Sequence, residues 1–248
     1  GSTSGIGLEI AINFAKEGYN IMFHGLEKNG LEIATEIGRK HNVKVGFSNA
    51  NLLKSTEIER LIKETITVFK KIHVLVNNAG IQHVAPIKNF PNEKYENIIA
   101  INMNAVFYAS KAVWNQMEKQ KFGRIINISS VHGLRASEYK TAYVTAKHGV
   151  IGMTKVLALE GANKNITCNA ICPGYVKTPL VINQIKDQAK AHNMSEDEVI
   201  KSVMLKKQAV KEFIPLTAIS DMALLLAKES SLTITGTTFT LDGGWSAQ

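Results

Sequence analysis

The sequence predicts a single α/β domain built on a parallel sheet, with helices on both faces of that sheet. Short runs of β-branched and other apolar residues alternate with longer stretches of helical periodicity along the 248 residues. The short runs are hydrophobic at nearly every position, which is typical of parallel strands that are buried on both faces. No internal repeat, linker or low-complexity segment divides the chain, so residues 1–248 are predicted to form one domain.

Six of the apolar runs are predicted as strands. They are Asn20–Phe23, Val43–Ser48, His73–Val76, Arg124–Ile128, Ile166–Ile171 and Thr238–Leu241. Strands joined by helical crossovers run parallel, so their carboxyl ends lie at one edge of the sheet, where open α/β sheets bind their ligands.

Two intervening segments have the clearest helical pattern. Gly5–Glu17 places Ile6, Ile10 and Phe14 on one face and is followed by Gly18, a residue suited to a helix C-cap. The second segment, Thr56–Phe69, starts with a threonine and a glutamate, Thr56 and Glu59, at the spacing of a capping box. Its predicted apolar face comprises Ile58, Leu61, Ile62, Val68 and Phe69.

A glycine-rich turn before the first helix opens the sequence at Gly1. A turn of this kind normally follows a strand, and in a doubly wound sheet that strand is central. We therefore expect about ten further residues, one strand and its lead-in, to precede Gly1.

The composition is that of an ordinary globular protein, with 45% hydrophobic and 20% charged residues. No apolar run reaches the ~18 residues of a membrane-spanning helix, and no signal peptide is visible, so no membrane partner is predicted. The net charge of +8 is dispersed, and its densest lysines form the pairs Lys70-Lys71 and Lys206-Lys207. Because the positive charges are dispersed, a nucleic-acid partner is not predicted. The net positive charge instead favours binding of small anionic molecules.

The two cysteines, Cys168 and Cys172, lie four residues apart on one predicted strand. At that spacing they are ~13 Å apart, which is too far for a disulfide. No histidine or cysteine cluster lies nearby, so no metal site is predicted. Buried thiols of this kind indicate a reducing compartment, and we expect a cytoplasmic protein.

Two motifs suit a phosphate-bearing ligand. The segment Gly1–Gly7 has glycines that let a phosphate approach the backbone, and the helix that follows offers free N–H groups. The segment Leu75–Gly80 runs from an apolar strand into two asparagines and a glycine. Taken singly, Leu75–Gly80 could equally be a structural turn, whereas Gly1–Gly7 favours a phosphate over a loop without one.

A third motif carries catalytic chemistry. Ser130 follows a predicted strand, and Tyr143 and Lys147 are four residues apart, so they share one face of a helix. A lysine beside a phenol favours the phenolate and is expected to lower the pKa of Tyr143, which makes it a general acid or base. An isolated tyrosine and lysine at this spacing would usually be structural. The three motifs in this order make the catalytic interpretation the stronger one.

Over essentially its whole length the chain resembles the short-chain dehydrogenase/reductase family. The resemblance rests on the glycine motif, Asn77–Gly80, Asn102, Ser130, the Tyr143–Lys147 pair and Pro173-Gly174 with Thr178. It implies a single-domain Rossmann-type fold and hydride transfer between a nicotinamide and a carbinol or carbonyl carbon. Ser130 would polarise the substrate oxygen, Tyr143 would exchange its proton, Lys147 would lower the tyrosine pKa and hold the ribose, and Asn102 would support a proton path.

The resemblance also implies a set of cofactor-binding residues and NAD as the cofactor. The set is Gly1, Thr3, Gly5, Ile6, Gly7, Leu26, Asn51, Leu52, Asn78, Ala79, Gly80, Tyr143, Lys147, Pro173, Gly174, Val176 and Thr178. Two positions depart from the family pattern. Asn51 replaces the usual aspartate, and no acidic residue ends the second strand at His24-Gly25-Leu26, which with Lys28 nearby keeps NADP open.

Four polar side chains that can donate hydrogen bonds to a small carboxylate lie around the catalytic motif in the sequence. They are Gln82, His132, Lys140 and Gln184. With the glycine-rich C-terminal motif, they resemble the bacterial D-3-hydroxybutyrate dehydrogenases of this family. That resemblance implies reversible oxidation of (R)-3-hydroxybutyrate to acetoacetate, and a lid segment near 178–215. The substrate-binding residues it implies are Gln82, Ser130, His132, Lys140, Tyr143, Gln184 and Trp245.

Other functions remain open at this point. A 3-oxoacyl or sugar-alcohol reductase would share the catalytic residues but not the carboxylate site, and a dinucleotide-sensing scaffold would need no proton donor. The family resemblance further implies a homotetramer whose interfaces involve Asn104–Gln120 and the helix carrying Tyr143.

Overall fold

Six parallel strands form the sheet in the computed structural model, which describes residues 1–179, 181–182, 185, 189 and 194–247. The strands are β1 (Ile21–His24), β2 (Val45–Ser48), β3 (Val74–Asn77), β4 (Gly123–Ile128), β5 (Ile166–Pro173) and β6 (Thr238–Leu241). All six predicted strands are confirmed: Thr238–Leu241 has the predicted bounds, and the ends of the others differ by at most two residues.

Helices connect these strands. In the described part of the chain they include α1 (Gly5–Lys16), α2 (Gly30–His41), α3 (Ser55–Phe69), α4 (Asn92–Ile99), α5 (Ala105–Gln120), α6 (Thr141–Gly161), α7 (Glu196–Val199) and α8 (Leu216–Ala227). Two π-helical turns, Ala100–Asn104 and Ile200–Met204, continue α4 and α7. No helix in these described ranges is long and apolar enough to span a bilayer.

Of the two predicted helix caps, the glycine after α1 is confirmed and the capping box of α3 is wrong. Gly18 follows α1 with φ +82°, and its N–H donates to the carbonyl of Ala15, as a C-cap glycine should. The capping box predicted for α3 does not form, because the helix starts one residue earlier, with Lys54 at the N-cap and Thr56 inside the first turn.

The predicted apolar faces are largely confirmed. In α1, Ile10 and Phe14 are buried. In α3, Ile58 and Ile62 are buried, whereas Val68 is 53% exposed and does not belong to the inward face. Val68 lies near the helix end, where the inward stripe has already rotated away from the sheet.

Each face of the sheet has its own core. On one face α1 and α8 pack against β4 and β5, and the contacts join Ile10 and Phe14 to Ile126 and Ile171. On the other face α3 and α5 cover the same strands through residues that include Ile62, Val113, Met117, Ile125 and Cys168. Ile125 and Ile126 are adjacent and point to opposite faces, which explains the uninterrupted apolar run of β4.

Hydrogen bonds divide the described strands into two groups, β2–β1 and β3–β4–β5–β6. A cavity of about 500 Å³ separates β1 from β3, and its apolar walls include Ile10, Phe14, Ile21, Val74 and Val76. The strand expected before Gly1 stays a prediction.

Candidate active site

The carboxyl ends of β3, β4 and β5 meet at one edge of the sheet because the three strands are parallel and adjacent. Ser130 follows β4 directly, and its hydroxyl accepts from the N–H of His132, which lies in a short helical turn. Helix α6 then runs back across this edge and carries Tyr143 and Lys147. The fold therefore brings the three predicted catalytic residues together.

Tyr143 lies between Ser130 and Lys147. Tyr143 and Ser130 line the same small pocket, and the Lys147 ammonium is 5.6 Å from the centre of the Tyr143 ring. Lys147 is 4% exposed, and its Nζ donates to the carbonyl of Ile128 at 2.8 Å. The ammonium is thus held in place before any ligand arrives.

The pKa expected for Tyr143 needs correction. Burial raises the pKa of Tyr143 above its usual value, and the Ser130 hydrogen bond opposes this only partly. Burial also lowers the pKa of Lys147 to about 8. Removal of solvent disfavours both charged forms, so in this structure Tyr143 is held as the protonated phenol rather than drawn toward phenolate.

Asn102 sits in the π-helical turn after α4 and is 1% exposed. Its Oδ1 accepts from the N–H of Ile81, and its Nδ2 donates to the carbonyl of Ile81, both at 2.9 Å. The side chain thereby fixes the segment that follows Gly80. Its part in a proton path stays a prediction.

The two phosphate-suited motifs lie against each other. Asn78 Nδ2 donates to the carbonyl of Gly1 at 2.5 Å. A Cβ at Gly7 would lie 1.9 Å from that carbonyl oxygen, and Gly5 has φ +54°. The N-cap residue of α1, Ser4, makes no side-chain hydrogen bond to the helix, so the free N–H groups of its first turn suit a pyrophosphate.

Two of the other residues expected to bind the cofactor, Ala79 and Thr178, border this cradle. A Cβ on Gly1 would approach Ala79 to 3.2 Å, and one on Gly5 would approach Thr178 to 3.3 Å. Leu26 is 70% exposed just beyond β1. Asn51 uses its Oδ1 to accept from the N–H of Leu53 at 3.0 Å, so it stabilises a turn.

Sequence reasoning missed Glu27 in the loop after β1. Its carboxylate accepts a short hydrogen bond from the Thr3 hydroxyl, which lies in the glycine-rich turn. This bond is the main reason why the pKa of Glu27 is lowered. As expected, β1 ends at His24 without an acidic residue. The loop after β1, however, places the Glu27 carboxylate beside the glycine-rich turn. An acidic residue within three positions of the strand end was the available signal.

A small pocket opens beside Tyr143. The described residues that line it are Gln82, Ser130, Val131, His132, Lys140, Tyr143, Gly174, Tyr175, Val181 and Trp245. No aspartate or glutamate is among them. The pocket thus contains six of the seven predicted substrate-binding residues, and the seventh, Gln184, lies outside the described residues.

Lys140 provides the positive charge of this pocket. It is 6% exposed, and its Nζ donates to the Tyr175 hydroxyl at 3.3 Å. Burial, with a smaller contribution from the charge of Lys207, lowers the pKa of Lys140 to about 8. Lys140 is therefore mostly protonated at neutral pH, and none of the described lining residues is an aspartate or glutamate that could neutralise it.

His132 and Trp245 form the wall behind Lys140. Burial is the largest cause that lowers the pKa of His132 to about 3, so the imidazole is neutral at neutral pH. Its ring is 5.3 Å from that of Trp245, which in turn stacks on Tyr175 at 5.8 Å. Tyr175 was also missed, although an aromatic residue directly after Pro173-Gly174 at a strand end was visible in the sequence.

Gln82 has an unsatisfied polar atom in the pocket. Its Oε1 is the one buried side-chain nitrogen or oxygen without a hydrogen-bond partner in the described part of the chain. Leaving a buried polar atom unpaired costs about 1–3 kcal/mol, so its position indicates a ligand. In the same described residues, no three His, Cys, Asp or Glu side chains converge as they would around a metal ion.

Comparison with known proteins places this site in a family. The family described as short chain dehydrogenase matches residues 1–189. D-beta-hydroxybutyrate dehydrogenase of Rhizobium meliloti is 45% identical over 251 residues, covering 100% of this chain and 97% of that protein. The protein of the same name from Cupriavidus necator is 41% identical over 248 residues, covering 100% and 96%.

The fold has close structural relatives as well. The crystal structure of a single-residue variant of actinorhodin polyketide ketoreductase with NADPH matches with a TM-score of 0.94 and 29% identity, covering 100% of this chain and 95% of that one. Levodione reductase matches with a TM-score of 0.91 and 27% identity, covering 99% and 95%. With its fold, its motifs and its relatives in agreement, the chain belongs to the short-chain dehydrogenase family.

Proposed function

We propose that this enzyme oxidises (R)-3-hydroxybutyrate to acetoacetate, reversibly and with NAD. The observation that carries the proposal is the pocket beside Tyr143, which holds a buried ammonium, Lys140, and no described acidic residue. The names of the two relatives at 45% and 41% identity support the same substrate.

The reacting oxygen of the substrate would lie between the hydroxyls of Ser130 and Tyr143. In the reduction direction Tyr143 gives its proton to the developing alkoxide, and the raised pKa of its phenol keeps that proton available at neutral pH. Ser130 donates to the same oxygen. The bound nicotinamide supplies the hydride, or accepts it in the oxidation direction.

The carboxylate would be held at the opposite end of the pocket. Lys140 pairs with it as an ammonium, and the Nε2 amide of Gln82 and the N–H of the neutral His132 would donate further hydrogen bonds to it. Gln184 is proposed as an additional ligand, and Trp245 closes the pocket from the side of the C-terminus.

An assay with and without the carboxylate tests the substrate. We expect kcat/KM for (R)-3-hydroxybutyrate to exceed that for 2-butanol, which has the same carbon skeleton without the charge, by at least ~100-fold. Lys140→Met should remove most of this preference, whereas Lys155→Met, at an exposed position of α6, should keep it. Equal rates on both alcohols would contradict the proposal.

NAD rather than NADP is proposed because of Glu27. Its carboxylate lies at Thr3, beside the glycine-rich turn, where a negative charge accepts a ribose hydroxyl and repels a 2′-phosphate. The dinucleotide would be held by the cofactor-binding residues named above, with its pyrophosphate at the start of α1 and its ribose near Lys147.

Direct binding tests the cofactor preference without any turnover. Fluorescence titrations should show NADH binding at least ~10-fold more tightly than NADPH, and Glu27→Gln should narrow the difference. Glu32→Gln, on an exposed position of α2, is the matched control. Tighter binding of NADPH by the unaltered protein would overturn the assignment.

We further propose a cytoplasmic homotetramer. Both cysteines are buried and free, which supports a reducing compartment. Helices α5 and α6 expose large apolar side chains, among them Phe107 at 46%, Val156 at 53% and Leu159 at 80%. Apolar surface of this kind supports the interfaces expected along these two helices.

A further inference from the structure

A second lysine, Lys207, lies next to the substrate pocket, against the ring of the lining residue Trp245. It ends the 3-10 turn Leu205–Lys207, which follows the π-helical turn after α7. The base of this turn is rigid, since Met204 and Leu205 are 1% and 2% exposed. The Lys207 side chain is itself exposed at the rim.

The turn is tied to the pocket through the next residue, Gln208. This side chain is fully buried, and its Oε1 accepts from the backbone N–H of Tyr175 at 3.2 Å. Its Nε2 donates to the carbonyl of Glu212 at 2.8 Å. The backbone that carries Lys207 is thus connected directly to the pocket wall at Tyr175.

The Lys207 ammonium lies 5.5 Å from the centre of the Trp245 ring. Trp245 stacks on Tyr175, and Tyr175 has the Lys140 ammonium 5.4 Å from its own ring centre. The stacked aromatic pair therefore has a lysine ammonium on each ring. Cation–π contacts explain how two like charges are kept near one another at the wall of a small pocket.

The positive charge of Lys207 acts on two residues that line the pocket. It contributes to lowering the pKa of Lys140 to about 8 and that of His132 to about 3. No aspartate or glutamate lines the described part of the pocket. An anionic ligand bound there would therefore relieve the repulsion between the two lysines.

We propose that Lys207 is a second cationic residue of the substrate site, which together with Lys140 draws in and retains the substrate carboxylate. The inference rests on the proposed function in that it needs an anionic substrate. Lys207 acts on the carboxylate from the rim and takes no part in proton transfer.

The pH dependence follows from the groups around Lys140. Its ammonium faces the Tyr175 hydroxyl, His132, Tyr143 and the charge of Lys207. Of these, Lys207 is the group whose positive charge lowers the pKa of Lys140. Without that charge Lys140 keeps its proton to higher pH, so the rise of KM at alkaline pH should begin later.

The first test compares Lys207→Met with Lys206→Met, an adjacent exposed lysine whose charge is not among the causes that lower the pKa of His132 or Lys140. For Lys207→Met we expect KM for (R)-3-hydroxybutyrate to rise about tenfold at pH 7 with kcat within about twofold. The alkaline rise of KM should also move to higher pH. Lys206→Met should behave as the unaltered enzyme. An unchanged KM, or an unchanged pH profile, would overturn the proposal.

The second test needs no turnover and uses acetate as the probe. The chain has two tryptophans, so in a Trp114→Phe background the fluorescence reports on Trp245 alone. At constant ionic strength, acetate should bind more weakly when Lys207→Met is added and equally well when Lys206→Met is added. Equal binding in both, or no binding at all, refutes a role for Lys207.

The two tests separate the proposals. If acetate binding depends on Lys207 but (R)-3-hydroxybutyrate is not oxidised, the substrate is wrong and the two-lysine anion site stands. If the substrate is oxidised and neither KM nor acetate binding responds to Lys207→Met, the function stands and the role of Lys207 is refuted.

Discussion

Tyr143 illustrates how the environment of one residue decides its chemistry. Its spacing from Lys147 suggests a phenol made acidic by a neighbouring cation. In the structure burial acts on both groups, so the phenol keeps its proton and the pKa of the lysine falls to about 8. A phenol in this state is a ready proton donor for reduction of a ketone.

Replacing that phenol tests its role. Tyr143→Phe should lower kcat by about 10²–10⁴-fold, because the proton donor is lost, while the dissociation constant for NADH changes by less than about threefold. Tyr139→Phe, at a side chain that is 53% exposed, is the control. Stopped-flow turnover and NADH fluorescence supply the two readings, and retained turnover in Tyr143→Phe would contradict the assignment.

Lys140 should give the enzyme an alkaline limit. Its pKa is lowered to about 8, so the ammonium is present below that pH and is lost above it. We expect KM for the hydroxy acid to be constant from about pH 6 to 7.5 and to rise roughly tenfold per pH unit above 8. Lys140→Met should show a high KM at every pH. His132 contributes no change in this range because its pKa is lowered to about 3.

At the scale of elements, the start of α1 and the end of β3 act as one unit. Gly1, Gly7 and Asn78 meet there within hydrogen-bond and van der Waals distance. The absence of a side chain at Gly7 lets the helix begin directly against the carbonyl of Gly1. This is a packing requirement, since the conformation of Gly7 is ordinary helix.

An added methyl group should therefore separate these elements. Gly7→Ala places a Cβ 1.9 Å from the Gly1 oxygen and 2.5 Å from Asn78 Nδ2, and we expect it to lower the free energy of unfolding by about 1–3 kcal/mol. NADH affinity should fall at least tenfold. Gly152→Ala, which meets no atom within 4 Å, should slightly stabilise α6. Thermal melts and NADH titrations measure both effects, and normal NADH binding by Gly7→Ala would contradict the account.

At the scale of the whole molecule, α5 and α6 expose large apolar side chains to solvent. Nothing in a single subunit explains this exposure. Leu159 is 80% exposed at the outer face of α6. Large apolar side chains that are exposed on neighbouring helices can mark a protein interface when they form one surface. Because α6 also carries Tyr143 and Lys147, assembly along it would brace the catalytic helix.

A charge placed on that face should disrupt assembly. Leu159→Lys is expected to shift the protein from a tetramer to a smaller species in size-exclusion chromatography with light scattering, because an interface would bury the ammonium. Leu31→Lys, at a leucine that is 58% exposed on α2, should leave the mass unchanged. A monomeric unaltered protein would refute the proposed tetramer.

Local patterns were sufficient to predict much of this molecule. The six strands, the apolar faces of α1 and α3, and the pairing of Tyr143 with Lys147 depend on spacing along a single element. The capping box at Thr56 was wrong because α3 begins at Ser55 with Lys54 at the N-cap, so Thr56 lies inside the first turn. Val68 was misplaced because it lies at the edge of the apolar stripe, where spacing alone does not decide whether a side chain is buried.

The sequence by itself determined the order of the motifs, the edge of the sheet where they meet and therefore the class of chemistry. Only the tertiary structure decided which charged side chains lie next to the catalytic residues and how burial shifts their pKa values. Glu27 reaches Thr3 because a loop folds back after β1, and Lys207 reaches Trp245 from a turn 38 residues away. The pKa values of Tyr143 and Lys140 likewise depend on solvent removed by segments distant in sequence. Burial and nearby charges shift a pKa through space, so these shifts cannot be predicted from the spacing of residues along the chain.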